Sequence, residues 1–164
     1  WKKAANASGY KIYRRTGNSS KWVNIATVSG SNTLVYTDGS VKSGTMYTYT
    51  VRAYKGSALS AYNKNGSRIV RLTAPVQYKP SSKASGKLTV RWKKTVGASG
   101  YQIQYAASRS MRGARTVSTS ALTRTLSGLK KGSTYYVRIR AYKKVIGKTY
   151  YGAWSSVKNV KVRK

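Results

Sequence analysis

The chain repeats itself, and that constrains its fold more than any other feature. Ala7-Ser8-Gly9-Tyr10-Lys11-Ile12 returns as Ala98-Ser99-Gly100-Tyr101-Gln102-Ile103, and Trp1-Lys2-Lys3 returns as Trp92-Lys93-Lys94 at the same offset. Val51-Arg52-Ala53-Tyr54 returns as Ile139-Arg140-Ala141-Tyr142. A period of roughly 90 residues is the length of a small sandwich domain and far exceeds the unit of a solenoid. The repeat therefore divides the 164 residues into two modules, 1–72 and 73–164, meeting near Thr73-Ala74-Pro75.

Within each copy the apolar residues fall at every second position. Leu88, Val90 and Trp92 alternate with Thr89 and Arg91; Tyr101, Ile103 and Tyr105 alternate with Gln102 and Gln104. Tyr135, Val137, Ile139 and Ala141 alternate with Tyr136, Arg138, Arg140 and Tyr142. Period two places one set of side chains on each face of a half-buried strand. Gly, Ser and Asn separate the runs, and no segment sustains a helical period, so the expectation is an all-β sandwich with negligible helix. The 15 Tyr, 4 Trp and many Val, Thr and Ile suit strands and can fill a core.

These motifs resemble the fibronectin type III family, in particular the modules of Gram-positive bacterial cell-surface and secreted proteins. Three features carry the resemblance: Leu88-Thr89-Val90-Arg91-Trp92, the Gly-Tyr-x-Ile-x-Tyr run from Gly100 to Tyr105, and the run from Leu129 through Gly132, Tyr135, Val137 and Ile139 to Ala141. The first module matches the last motif with Val41, Gly44, Tyr47, Tyr49, Val51 and Ala53. The resemblance implies two tandem immunoglobulin-like β-sandwiches. Trp1, Trp92, Tyr10 and Tyr101 are then core residues, and Tyr47 and Tyr135 are corner tyrosines whose hydroxyls bond nearby backbone. The first module lacks its leading strand, since nothing before Trp1 matches Thr73–Arg91. The expectation is that the chain belongs to something longer, or that another chain supplies the missing edge.

Catalysis finds little material. The sequence has no His, Cys or Glu, and Asp38 is its only acid. No acid–base pair, Ser-His-Asp or Cys-His arrangement or ordinary metal site can be assembled from that set, and the glycines form no phosphate loop. Ser-Lys chemistry needs a buried Lys beside a Ser in a cleft, and solvated surface residues are the simpler reading. No catalytic, cofactor-binding or metal-binding residue is therefore assigned. Asp38, in Tyr36-Thr37-Asp38-Gly39, reads as a turn residue bonding the backbone two positions on. There is no Arg-Gly-Asp string; Arg112-Gly113-Ala114 is the nearest. No apolar run is long enough for a membrane span.

What remains is charge: 33 Lys and Arg against one acid give +32, the larger share after Thr73. On the last long strand Arg138 and Arg140 should point outward beside Tyr136 and Tyr142. Lys130 and Lys131 precede that strand and Lys143, Lys144 and Lys148 follow it; Arg52 with Tyr54 is a thinner counterpart in the first module. Basic residues interleaved with aromatics can engage phosphates and stack on bases or sugars. The same residues are also ordinary cross-strand partners. Two functions stay open: a structural spacer pair of an extracellular or cell-wall multidomain protein, associating with neighbouring modules or copies of itself in a fibre, or a module binding teichoic acid, sulfated glycan or nucleic acid. Engineered supercharging of a natural module is a third reading of the charge.

Overall fold

Alternation at period two becomes twelve strands and no helix in a computed structural model that describes all residues, Trp1–Lys164. The chain divides into two compact units, Trp1–Val70 and Arg71–Lys164.

The second unit has two sheets. β7 (Gly100–Ala106), β8 (Arg115–Thr119), β10 (Thr134–Val145), β11 (Lys148–Tyr151) and β12 (Lys158–Lys161) form one, in the order β11-β10-β7-β8 with β12 also on β10. β6 (Leu88–Arg91) and β9 (Thr123–Leu126) form the other. The segment before β6 contributes only bridges, Gln77 to Trp92 and Ser81 to Thr89. Inward residues of both sheets make the core: Leu88, Val90, Trp92, Tyr101, Ile103, Leu126, Val137, Ile139 and Ala141 are all buried, several completely. Burying each large apolar side chain contributes about 1.5–3 kcal/mol, so this is where the unit's stability lies.

The first unit has one sheet. β1 (Gly9–Thr16), β2 (Val23–Ser29), β3 (Met46–Lys55) and β4 (Ala58–Leu59) run β2-β1-β3-β4, and β5 (Ser67–Val70) joins β3. The repeat aligns β1 with β7 and β3 with β10. The segment aligned with β9, Val35–Asp38, forms no strand. Accordingly Val51 and Ala53, which face inward, are only half-buried, whereas the aligned Ile139 and Ala141 have no exposure. Expectation and structure agree on an all-β architecture, with one sheet among the first unit's residues and two in the second.

Two tyrosine arrangements explain why the motifs recur. Tyr47 accepts a hydrogen bond from the Lys42 amide at 3.0 Å and Tyr135 from the Lys130 amide at 3.3 Å, each pinning the turn that feeds a central strand. Tyr10 and Tyr101 pin a second turn through the Ala4 and Thr95 amides. Tyr47, Tyr10, Tyr101 and Trp92 are buried; Trp1 and Tyr135 are half-buried. Trp1 packs at a steep tilt against Tyr10 and Trp92 edge-on against Tyr101, both with ring centroids 5.3 Å apart.

The Gly-Tyr start of β1 and β7 also has a steric cause. Gly9 pairs with Tyr54 and Gly100 with Tyr142 across the strands. A Cβ on Gly100 would sit 2.5 Å from the Tyr142 hydroxyl oxygen and 3.0 Å from the Thr119 carbonyl oxygen, and one on Gly9 would run into the Val28 carbonyl oxygen and sit 2.8 Å from the Tyr54 hydroxyl. A cross-strand tyrosine and a neighbouring-strand carbonyl together leave no room for a side chain at either glycine.

Candidate functional site

Residues Tyr136, Arg138, Arg140 and Tyr142 alternate outward on β10, as period two requires. Their neighbours are set by register: Arg138 faces Gln104 and Arg140 faces Gln102 on β7, and Tyr142 faces Tyr151 on β11. Each arginine donates its Nε hydrogen to the opposing glutamine Oε1 at 2.8 Å. Trp154, just beyond β11, lies against both guanidinium groups, with its ring centroid 4.6 Å from Arg138 Cζ and 4.4 Å from Arg140 Cζ. Arg140 is enclosed further by Tyr151 at 4.0 Å. Burial, reinforced by the neighbouring Arg138 charge, lowers the Arg140 pKa, with Tyr151 opposing. Both arginines are half-buried.

Stacking of this kind contributes about 0.5–2 kcal/mol per contact, depending on desolvation. It engages the Nε donor of each arginine and ring faces of Trp154 and Tyr151. Sequence reasoning found the arginines but not Trp154, Tyr151, Gln102 and Gln104. The register supplied the glutamines, and Trp154 was signalled by the repeat, which aligns it with Tyr62.

The remaining basic candidates do not converge on this face. Lys144 and Lys148 are exposed around the β10–β11 turn, where Lys148 Nζ lies 5.3 Å from the Tyr150 ring centroid, and Lys143 is half-buried beside them. Lys130 and Lys131 are exposed in the turn before β10, at its opposite end. Tyr136 is half-buried opposite Ala106 and Asn159.

In the first unit Arg52 is held the same way, 5.2 Å from the Tyr62 ring centroid with its Nε bonded to the Ser60 carbonyl at 2.7 Å. Tyr62 meets Trp22 edge to face, and Arg15 covers Trp22 at 4.8 Å. Beneath this cluster Thr48 and Thr50 are buried although they lie on the outward side of the sheet. Tyr13, Trp22, Thr50, Arg52 and Tyr62 border a cavity of only about 80 Å³. A larger one in the second unit, about 410 Å³, is bordered by Tyr105, Arg112, Arg115, Leu129 and Tyr135 and includes none of the outward β10 residues.

Asp38 makes the expected turn, accepting from the Ser40 amide at 2.9 Å. It also does what the sequence did not disclose. Its Oδ2 accepts from Arg14 and from the Tyr49 hydroxyl, both at 2.7 Å, and Oδ1 accepts from Ser40 Oγ at 2.7 Å. Burial pushes the carboxyl pKa up, but bonds from Ser40, Tyr49 and Arg14 outweigh it and hold the group well below the ordinary carboxylate range. Burial and the adjacent carboxylate push the Tyr49 hydroxyl up. The repeat aligns Arg14, Asp38 and Tyr49 with Tyr105, Leu126 and Val137, all buried and apolar. A polar triad thus occupies the place of an apolar one. No group of three or more His, Cys, Asp or Glu exists to hold a metal.

The family model described as fibronectin type III domain matches residues 73–157. The chain belongs to the fibronectin type III family. Domains of this family are structural modules, generally non-catalytic and typically extracellular, and no helix here is long and apolar enough to cross a membrane. Among solved structures, the crystal structure of chicken CNTN1 FN1-FN3 domains is similar, with 21% identity and a TM-score of 0.47. The match covers 95% of this chain and 56% of that one, so the chain spans little more than half its length.

Proposed function

We propose that this fibronectin type III chain is a non-catalytic spacer from an extracellular or cell-wall-associated multidomain protein of the Gram-positive type. The observation that supports this best is the use of Arg138 and Arg140. They stack on Trp154 and Tyr151 and bond to Gln104 and Gln102, an arrangement that braces three strands and the segment after them. Such contacts are those of cross-strand partners within a sheet. Neighbouring modules of a longer chain are the partners such a spacer implies.

A second reading keeps polyanion binding, because +32 on two small units attracts teichoic acid, sulfated glycan or nucleic acid without any dedicated site. The exposed lysines 130, 131, 144 and 148 are its natural contacts. Binding of heparin and of DNA, titrated at several salt concentrations, separates the two. The spacer reading expects a steep salt dependence, no ligand preference, and a small uniform loss in the Arg138→Ala/Arg140→Ala variant. A loss of about 1–3 kcal/mol for one ligand alone, in a variant that remains folded, would instead establish a specific site.

A further inference from the structure

We infer that the cavity beside the β7–β8 loop of the second unit is a binding site for an acidic sugar, a ring bearing a carboxylate, sulfate or phosphate group. Strand register builds it. Tyr105 pairs with Arg115 as Ile103 pairs with Val117, so period two lays Arg115 on the same face of the sheet as buried Ile103. Tyr105, Ala106 and Leu129, all buried, border the space from the core side; Arg112 and Arg115, both exposed, border it from the solvent side. Its volume of about 410 Å³ falls within the roughly 300–1,000 Å³ of small-molecule sites.

The loop that carries Arg112 is fixed. Met111 is 9% exposed although its φ of 62° lies in the left-handed region, which a residue with a side chain keeps only where packing imposes it. Its amide donates to the Ser108 carbonyl at 3.1 Å, and its carbonyl accepts from the Ala114 amide at 3.2 Å. Gly113, with φ 66°, completes the reversal on the other side of Arg112.

The polar groups at this cavity lack partners. Tyr105 is 8% exposed and its hydroxyl makes no hydrogen bond, whereas those of Tyr10, Tyr47, Tyr49, Tyr101 and Tyr135 all do. Arg112 and Arg115 make no hydrogen bond, ion pair or ring contact, unlike Arg14, Arg52, Arg138 and Arg140. In the first unit Arg14 stands at the place of Tyr105 and is neutralised by Asp38 at 2.7 Å. Arg71–Lys164 contains no acidic side chain, so an anion for Arg112 and Arg115 comes from outside the unit. Phenol rings can pack on the C–H face of a sugar while the Tyr105 and Tyr135 hydroxyls still have hydrogens to donate to its oxygens. The buried core side admits a ligand by one end, which suits a free sugar or the last unit of a chain rather than the interior of a polymer. A spacer can carry such a site, and it is separate from the salt-dependent attraction of polyanions to exposed lysines.

The test is an NMR titration of the full isotope-labelled chain, at constant ionic strength, with glucuronate, glucose 6-sulfate and glucose 6-phosphate; glucose and inorganic sulfate serve as comparisons. Saturable, single-site shifts are expected at the Arg112 and Arg115 Nε–Hε groups and the Gly113 amide, the tightest of the acids naming the charged group. Arg112→Gln/Arg115→Gln should weaken binding by at least about tenfold. Lys144→Gln/Lys148→Gln, which removes the same charge from the β10–β11 turn, should change it by less than about twofold. Tyr105→Phe should weaken binding by about threefold or more without lowering the melting temperature, because that hydroxyl bonds nothing within the unit. Equal losses in the charge-matched variants, or shifts that never saturate, overturn the site. Equal affinity for glucose overturns the role of the arginines, and equal affinity for inorganic sulfate overturns the sugar as occupant.

Discussion

Replacing Asp38 by Asn removes the one negative side chain in the molecule while keeping its size. The carboxylate is 9% exposed and its Arg14 partner 20%, so the ion pair is largely shielded. Breaking a buried pair typically costs about 3–5 kcal/mol, because a charge is left without compensation. Arg14 reaches solvent in part, which lowers the expected loss to about 2–3 kcal/mol. Amide exchange along β1 and β3 should then quicken by roughly 30- to 150-fold, each tenfold step being about 1.4 kcal/mol. β7 and β10 serve as the control within the same sample. The companion variant Arg14→Tyr/Asp38→Leu/Tyr49→Val installs the residues found at 105, 126 and 137, and should recover more than half of the loss, since apolar sets often replace buried ion pairs without penalty. A change under about threefold in Asp38→Asn, or an equal change in β7 and β10, would refute the view that this carboxylate fastens the first sheet.

Four other outcomes follow from the same contacts. Because the folded state holds Asp38 below its ordinary pKa, its contribution is present above about pH 3.9 and is lost as pH falls further, so acid should melt the first unit before the second in pH-jump exchange. Trp154→Ala removes the stack on both arginines and should destabilise the second unit by about 2–4 kcal/mol in urea melts, with Arg140→Lys retaining only part of the stack. Gly100→Ala drives a methyl group into Tyr142 and should cost more than about 2 kcal/mol, much of it restored by Tyr142→Ala in a double-mutant cycle. Tyr47→Phe leaves the Lys42 amide without its acceptor and should cost about 1 kcal/mol by thermal melting.

Much of this was legible before any coordinates. Alternation at Leu88–Trp92, Tyr101–Tyr105 and Tyr135–Tyr142 marked β6, β7 and β10, because one buried face imposes period two on any strand. The corner role of Tyr47 and Tyr135 also followed from the family resemblance. What escaped notice depends on residues far apart in sequence. Nothing near Asp38 announces Arg14 or Tyr49, and an acid in Asp-Gly reads as a turn whether or not a guanidinium meets it. Trp154 lies outside every alternating run, and only its repeat partner Tyr62 signalled it; its contact with both arginines emerges from the fold.

The outward arginines of β10 either brace the fold or await a ligand. Titrating isotope-labelled chain with a short heparin fragment, and following the side-chain Nε–Hε signals of Arg138 and Arg140 with the Trp154 indole, addresses this directly. The brace predicts that these signals stay fixed while resonances around Lys130, Lys131, Lys144 and Lys148 drift and recover with added salt. Large, saturable shifts at Arg138, Arg140 and Trp154 that persist at high salt would contradict it.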